Sequence, residues 1–130
     1  MIHHYSYWNE YFGFKFSISG SVISAAPQWL AHEDFPPLSP RVAIANSQSV
    51  VQQLLQEVCP FEPRFSACAL RSAPRQEGSW WYYVVSWFVP DLEDPAADWS
   101  EFSVPVVFDG NTPEPAKFRY EDRFDAYRSS

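Results

Sequence analysis

Hydrophobic and polar residues alternate along several stretches of the chain, and this period of two is typical of β-strands with one buried face. The first predicted strand covers residues 11–18, where phenylalanines at every second position alternate with Gly13, Lys15 and Ser17. An antiparallel meander is predicted over residues 64–108, and its strands cover 64–71, 80–89 and 101–108. The pattern therefore predicts a protein built largely on antiparallel strands.

One long amphipathic helix is predicted over residues 40–58. Ser39 can accept hydrogen bonds from the free backbone amides of the first turn, and Pro40 suits the first helical position, where its missing N–H costs nothing. Apolar or small residues recur every three or four positions, at Ile44, Ser47, Val51, Leu54, Leu55 and Val58. We expect this stripe to pack on the sheet through Val51, Leu54 and Leu55.

Prolines and glycines mark the segments between these elements. Residues 25–39 contain three prolines and are predicted to form a loop, because proline at this density prevents both helix formation and strand pairing. The apolar side chains of this loop are expected to lie against the body of the protein, and they are Trp29, Leu30, Phe35 and Leu38. Asp109-Gly110 predicts a tight turn, and Pro105 predicts that its strand is an edge strand or carries a bulge.

Two shorter elements are predicted near the ends of the chain. Residues 19–21 carry a turn signal, and Val22-Ile23 is predicted to begin a short return strand. The tail, residues 111–130, is predicted to form a short helix over 116–127, with Phe118 on its apolar side.

The order of elements predicts an α+β fold in a single domain over residues 1–130, with one amphipathic helix packed on a curled antiparallel sheet of four to five strands. The stretches WYYVVS at 81–86 and VPVVFDG at 104–110 resemble a pattern in small bacterial proteins of the cystatin-like type. Nuclear-transport-factor-2-like folds extend the same order with further helices. The resemblance covers residues 40–112, and it implies this fold and no catalytic residues.

The strand at 80–89 is apolar on both of its faces, because aromatic residues occupy adjacent positions in Trp80-Trp81 and Tyr82-Tyr83. One helix covers only one face of a sheet. The second face must be covered by the N-terminal segment, the proline-containing loop, the tail, a second subunit or a partner. Aromatic residues are favoured at protein interfaces, so a binding face is predicted at Trp81, Tyr83 and Trp87.

Charge narrows the classes of partner. The 130 residues carry nine Lys and Arg against 16 Asp and Glu, which gives a net charge of −7. This charge disfavours nucleic acid and anionic membranes and favours a basic protein partner. Two cysteines, Cys59 and Cys68, make no disulfide framework, and the first residues lack a signal-peptide pattern, so free thiols and a cytoplasmic location are expected.

Residues that could carry chemistry are few. His3 and His4 are adjacent and point apart on a strand, and the usual zinc spacings are missing, so no metal or other cofactor is predicted. The sequence has no nucleophile elbow and no glycine-rich phosphate loop, so no catalytic residue is assigned. The one local cluster of a histidine with carboxylates is His32-Glu33-Asp34, which leaves acid–base chemistry in an apolar pocket open.

Together these patterns favour a non-enzymatic, cytoplasmic binding or interaction protein. Its partner would be another protein or a second copy, and an acidic antidote of a basic protein fits the charge. The alternative is a small-molecule pocket protein, or an enzyme of the nuclear-transport-factor-2-like type that uses an apolar cavity.

Overall fold

The structure, a computed structural model, describes residues 2–8, 12–30, 32–56, 62–72, 80–90 and 99–119. This part of the chain holds two three-stranded antiparallel sheets and two helices. In sheet A the strand order is β1-β2-β6, with β1 Ile2–Trp8, β2 Phe12–Ser19 and β6 Ala116–Arg119. In sheet B the order is β3-β4-β5, with β3 Arg64–Ser72, β4 Trp81–Pro90 and β5 Trp99–Val106. The helices are α1 Gly20–Ser24 and α2 Pro40–Leu55.

The fold is α+β and contains the predicted meander as sheet B, but the prediction of one sheet of four to five strands is wrong. The N-terminal strand β2 pairs with β1 and β6 instead of joining the meander. Pro105 lies in β5, at the edge of sheet B as predicted, and it offers no N–H to a further strand. The main-chain pairing of sheet B therefore stops at β5. β1 packs against β5 through side chains instead, and the ring centres of Tyr7 and Phe102 are 5.3 Å apart.

Helix α2 covers one face of sheet B. Its buried residues recur once per turn, and they are Ala43, Ser47, Val51 and Leu55. They belong to the same core as Tyr83, Val85 and Trp87 of β4 and their neighbours on β5. The predicted stripe is confirmed at Val51 and Leu55, whereas Leu54 is only half-buried and Val58 lies outside the described residues.

The N-terminal segment contributes to the cover of the other face of sheet B. Tyr82 points to this side and is fully buried in a second core cluster, whose other buried members are Ile18, Ile23, Ala26 and Val107. Phe14, Phe16 and Ile18 are all buried, which confirms the alternation predicted for this strand, but only Ile18 joins this second cluster, whereas Phe14 and Phe16 belong to the core on the side of α2. Both faces of β4 are thus packed by elements of the same chain.

Two short predictions are wrong. Residues 20–24 form helix α1 instead of a return strand, because Ser19 accepts a hydrogen bond from the amide of Val22 and caps the helix. Residues 116–119 form strand β6 instead of a helix, because Phe118 stacks on Trp8 across Gly13 of β2. Gly13 has no side chain that would collide with the Trp8 ring, and this allows the stack. Residues 120–127 lie outside the described part of the chain.

The turn at Asp109-Gly110 is confirmed. Gly110 has φ of +92°, a conformation that side chains with a Cβ rarely adopt, and its amide donates to the carbonyl of Val107 at 2.9 Å. Asn46 of α2 donates from Nδ2 to the Gly110 carbonyl at 2.9 Å. The bond ties the end of the meander to the helix.

Because Leu55 is buried and Leu54 is half-buried, truncating the two should have unequal effects. Leu55→Ala should lower the free energy of unfolding by about 2–5 kcal/mol. Leu54→Ala should lower it by about 1 kcal/mol. Urea denaturation of both variants measures the difference, and equal losses would contradict the orientation of α2.

Candidate functional site

The three residues predicted to form a binding face share one face of β4, as expected, and helix α2 packs on that face. Tyr83 and Trp87 are buried, and Trp81 is half-buried. Tyr83 and Trp87 therefore lie beneath α2 and not on a surface open to a partner, and the binding role predicted for these residues stays a prediction. Their role is best understood from the groups that their polar atoms reach.

The indole of Trp87 explains why α2 packs on this face. Its Nε1 donates to Ser47 Oγ at 3.1 Å, and Ser47 Oγ donates in turn to the Ile44 carbonyl at 2.9 Å. A buried indole N–H without an acceptor costs about 1–3 kcal/mol, so the helix must place a polar side chain opposite it. Ser47 is the residue of the predicted apolar stripe that does so.

Tyr83 and Trp81 support the loop that precedes α2. We call residues 27–30 and 32–39 the proline loop. The Tyr83 hydroxyl donates to the Leu38 carbonyl at 2.6 Å. The ring of Trp81 meets the ring of Trp29 edge to face, with centroids 5.7 Å apart. Both ends of the proline loop are thereby fixed to β4.

Hydrogen bonds within the proline loop fix its middle. Trp29 Nε1 donates to the Glu33 carbonyl at 3.0 Å, and the Glu33 amide donates to the Leu30 carbonyl at 3.0 Å. The Leu30 amide donates to the Glu33 carboxylate at 3.2 Å. These bonds and the two contacts to β4 hold the loop in one shape without a regular helix or strand.

The braced loop presents apolar and acidic side chains to solvent. Trp29 and Leu38 pack on the core, as expected. Leu30 is 41% exposed and Phe35 is 79% exposed, so the expectation that these two side chains lie against the body of the protein is wrong. Glu33 and Asp34 are exposed beside Phe35. The sequence signal for this exposure is that Phe35 lies between two acids and two prolines. The acids are costly to bury, and the prolines restrict the backbone so that it cannot turn Phe35 towards the core.

The His32-Glu33-Asp34 cluster does not form an enclosed acid–base site. All three side chains are exposed, and Glu33 bonds to the backbone of its own loop. The described His, Cys, Asp and Glu side chains form no group of three or more that could hold a metal ion. Cys68 carries a free thiol whose pKa is raised by burial, which disfavours the reactive thiolate. Cys59 lies outside the described residues.

A second polar contact lies where the two sheets meet. The hydroxyls of Tyr5 on β1 and Tyr82 on β4 share a hydrogen bond of 2.5 Å. Burial raises the pKa of Tyr82 well above its ordinary value, and the bond to Tyr5 raises it further, while the nearby Arg71 opposes the shift. Burial also raises the pKa of Tyr83. These phenols are structural groups that join elements distant in sequence.

Comparison with family models, curated proteins and solved structures finds no match to this chain. None of the described helices is long and apolar enough to cross a membrane.

Removing the Tyr83 hydroxyl should loosen the proline loop. Tyr83→Phe loses the bond to the Leu38 carbonyl and should lower the free energy of unfolding by about 0.5–1.5 kcal/mol. Hydrogen exchange should accelerate at the amides of residues 32–35 and 38, the positions between 32 and 38 that are not proline. Ser49→Ala, which removes an exposed hydroxyl on α2, is the control and should change stability by less than about 0.5 kcal/mol. Unchanged exchange in Tyr83→Phe would contradict the bracing.

The raised pKa values of Tyr82 and Tyr83 predict instability in alkali. Above about pH 10, the ordinary phenol pKa, the unfolded chain loses protons that the folded chain keeps, so the free energy of unfolding falls as pH rises. The stabilisation is fully present below that pH. Urea denaturation between about pH 9 and 11 measures the slope, which should flatten in Tyr82→Phe. The same slope in both proteins would refute this assignment.

Proposed function

We propose that this chain is a non-enzymatic interaction protein that binds a basic protein through the proline loop. The observation that carries the proposal is Phe35, which is 79% exposed on a loop braced at both ends. The partner would offer an apolar pocket for Phe35 with basic side chains around it. An antidote of a basic protein is one such function.

The exposure of Phe35 has a physical cost that a partner would remove. Burying a phenylalanine side chain is worth about 1.5–3 kcal/mol over leaving it in water. A single exposed apolar residue is ordinary on a protein surface. Here, however, Leu30 of the same loop is also exposed, and together they provide more than one apolar contact.

The stiffness of the proline loop favours binding. Loops that order only on binding lose conformational entropy at that moment, whereas a loop already held in one shape does not. Hydrogen bonds from Trp29 and Tyr83 and the two prolines after Phe35 restrict this loop in the free protein. An aromatic anchor on a fixed frame is typical of interface hot spots.

Charge supports a basic partner. Glu33 and Asp34 immediately precede Phe35, and the whole chain has a net charge of −7. A complementary basic surface would be attracted at long range and guided towards the loop. The cytoplasmic location remains part of this proposal.

A small-molecule pocket or enzyme is less well supported. That alternative needs an apolar cavity beside Tyr83 and Trp87, and the side chains of α2 and Leu38 pack in that place. It also needs a polar group that can hydrogen-bond to a ligand. The polar atoms of Trp87 and Tyr83 both donate to groups of this chain, Ser47 Oγ and the Leu38 carbonyl.

The test replaces Phe35 with a photo-crosslinking phenylalanine analogue in the native host. Position 35 should crosslink one protein with a basic surface, and the control position Gln52, exposed on α2, should not. With that protein purified, Phe35→Ala should weaken binding by about tenfold or more while the unfolding midpoint stays unchanged. Equal crosslinking at both positions, no crosslinked protein, or an acidic partner would overturn the proposal.

A further inference from the structure

The second candidate surface is the outer edge of sheet B at β3. Among the described residues, β3 pairs only with β4, and no turn or loop amide bonds to its other edge. Most β3 side chains are exposed along its whole length, whereas β5 at the opposite edge is covered by β1 and α2. An edge of this kind can accept an added strand through its free N–H and C=O groups.

One face of β3 is apolar and open. Phe65 is 48% exposed and Leu70 is 37% exposed. Both lie on the same face of sheet B as Trp87 and Tyr83 of β4, on which α2 packs. Phe65 meets the buried ring of Trp87 edge to face at 5.7 Å. The exposed side chains therefore continue the core outwards, and an added strand could extend it.

The other face of β3 carries two arginines because of a β-bulge. Residues seven apart on a regular strand point to opposite faces. Between Phe65 and Ala67 the register shifts, so Arg64 pairs with Phe88 and Arg71 pairs with Tyr82, six ladder positions apart. Both arginines thus point to the same face, about 20 Å apart at roughly 3.3 Å per residue.

Neither arginine is neutralised within the described residues. The guanidinium of Arg64 lies 4.3 Å from the ring centre of Trp99, and that of Arg71 lies 5.9 Å from the ring centre of Tyr5. No described carboxylate forms an ion pair with either of them. Both rings are only half-buried, and a cation over a ring that water can reach is held weakly, so the two exposed arginine side chains can turn to a carboxylate that approaches along the edge.

We infer that β3 binds an extended acidic segment of another protein, which adds to sheet B as a fourth strand. Its apolar side chains would contact Phe65 and Leu70, and two carboxylates six positions apart would meet Arg64 and Arg71. This surface differs in charge from the acidic proline loop, and the inference does not depend on the function proposed for Phe35.

A second copy of this chain fits the edge less well. Antiparallel pairing of two β3 strands about the midpoint between Ala67 and Cys68 would set Arg64 of one copy opposite Arg71 of the other at both ends of the interface. Like charges opposed across a ladder are destabilising. In this register the bulge would also place Ala67 of one copy opposite Cys68 of the other, although these two side chains point to opposite faces of the sheet.

The test uses three synthetic peptides and the full chain. In EVTVTVE the two glutamates are six positions apart and share a face, in EVTVTEV they point to opposite faces, and in KVTVTVK the charge is reversed. Fluorescence anisotropy should find EVTVTVE bound at least about tenfold more tightly than the other two. Amide chemical shifts should change along Ala67–Ser72, and amide exchange should slow there.

Charge reversal provides the matched control. The double variant Arg64→Glu, Arg71→Glu should reverse the preference towards KVTVTVK, with circular dichroism unchanged. Phe35→Ala should bind EVTVTVE as the wild type does, which separates this test from that of the proline loop. Undetectable binding at millimolar peptide, an unreversed preference, or shifts away from β3 would overturn the inference. So would a concentration-dependent dimer in light scattering whose contacts map to β3, because a second copy would then be the occupant.

Discussion

The structure depends on one constraint, which is that β4 is apolar on both faces and must be packed on both. No single helix can do this. Helix α2 packs on the side with Tyr83 and Trp87, where Phe14 and Phe16 of β2 join the same core, and residues 18–26 pack on the side with Tyr82. Residues 18–26, which precede the proline loop, thus lie on the opposite side of β4 from α2, which follows it, and the loop runs between them. Its position is a consequence of how β4 is buried.

The aromatic residues of β4 also determine which element packs on each of its faces, because three of them carry polar atoms that need hydrogen-bond partners. Trp87 requires an acceptor, and Ser47 supplies it from the middle of α2. Tyr83 reaches the Leu38 carbonyl, and Tyr82 reaches Tyr5 on β1. An unpaired polar atom at any of these buried points would cost free energy comparable to a lost hydrogen bond. The residues that make β4 look like a binding surface are therefore the ones that fix the elements around it.

The sequence predicted the elements that follow from local pattern and missed those that follow from long-range pairing. Helix α2, the meander and the turn at Gly110 have signals within a few residues: a cap and stripe, a period of two, and a glycine at positive φ. Strand β6 has no such signal, because it exists through the stack of Phe118 on Trp8 and pairing with β2. The cover of Tyr83 and Trp87 by α2 was missed for a related reason. Periodicity tells which residues of β4 share a face, but not which face α2 covers, and the exposure of Phe35 depends on where its loop is fixed.

The two surfaces left open differ because they are left open for different physical reasons. At the proline loop, backbone bonds and prolines hold Phe35 out of the core, so the exposure is built into a stiff segment. At β3, exposure results from the limited width of the cover, because α2 and β1 pack over β4 and β5 and leave the outer strand. An open strand edge would invite pairing with copies of itself, and charges and bulges are the usual protection. The bulge after Phe65 and the two arginines provide both, and the same features that repel a second β3 strand leave the edge suited to a strand of opposite charge.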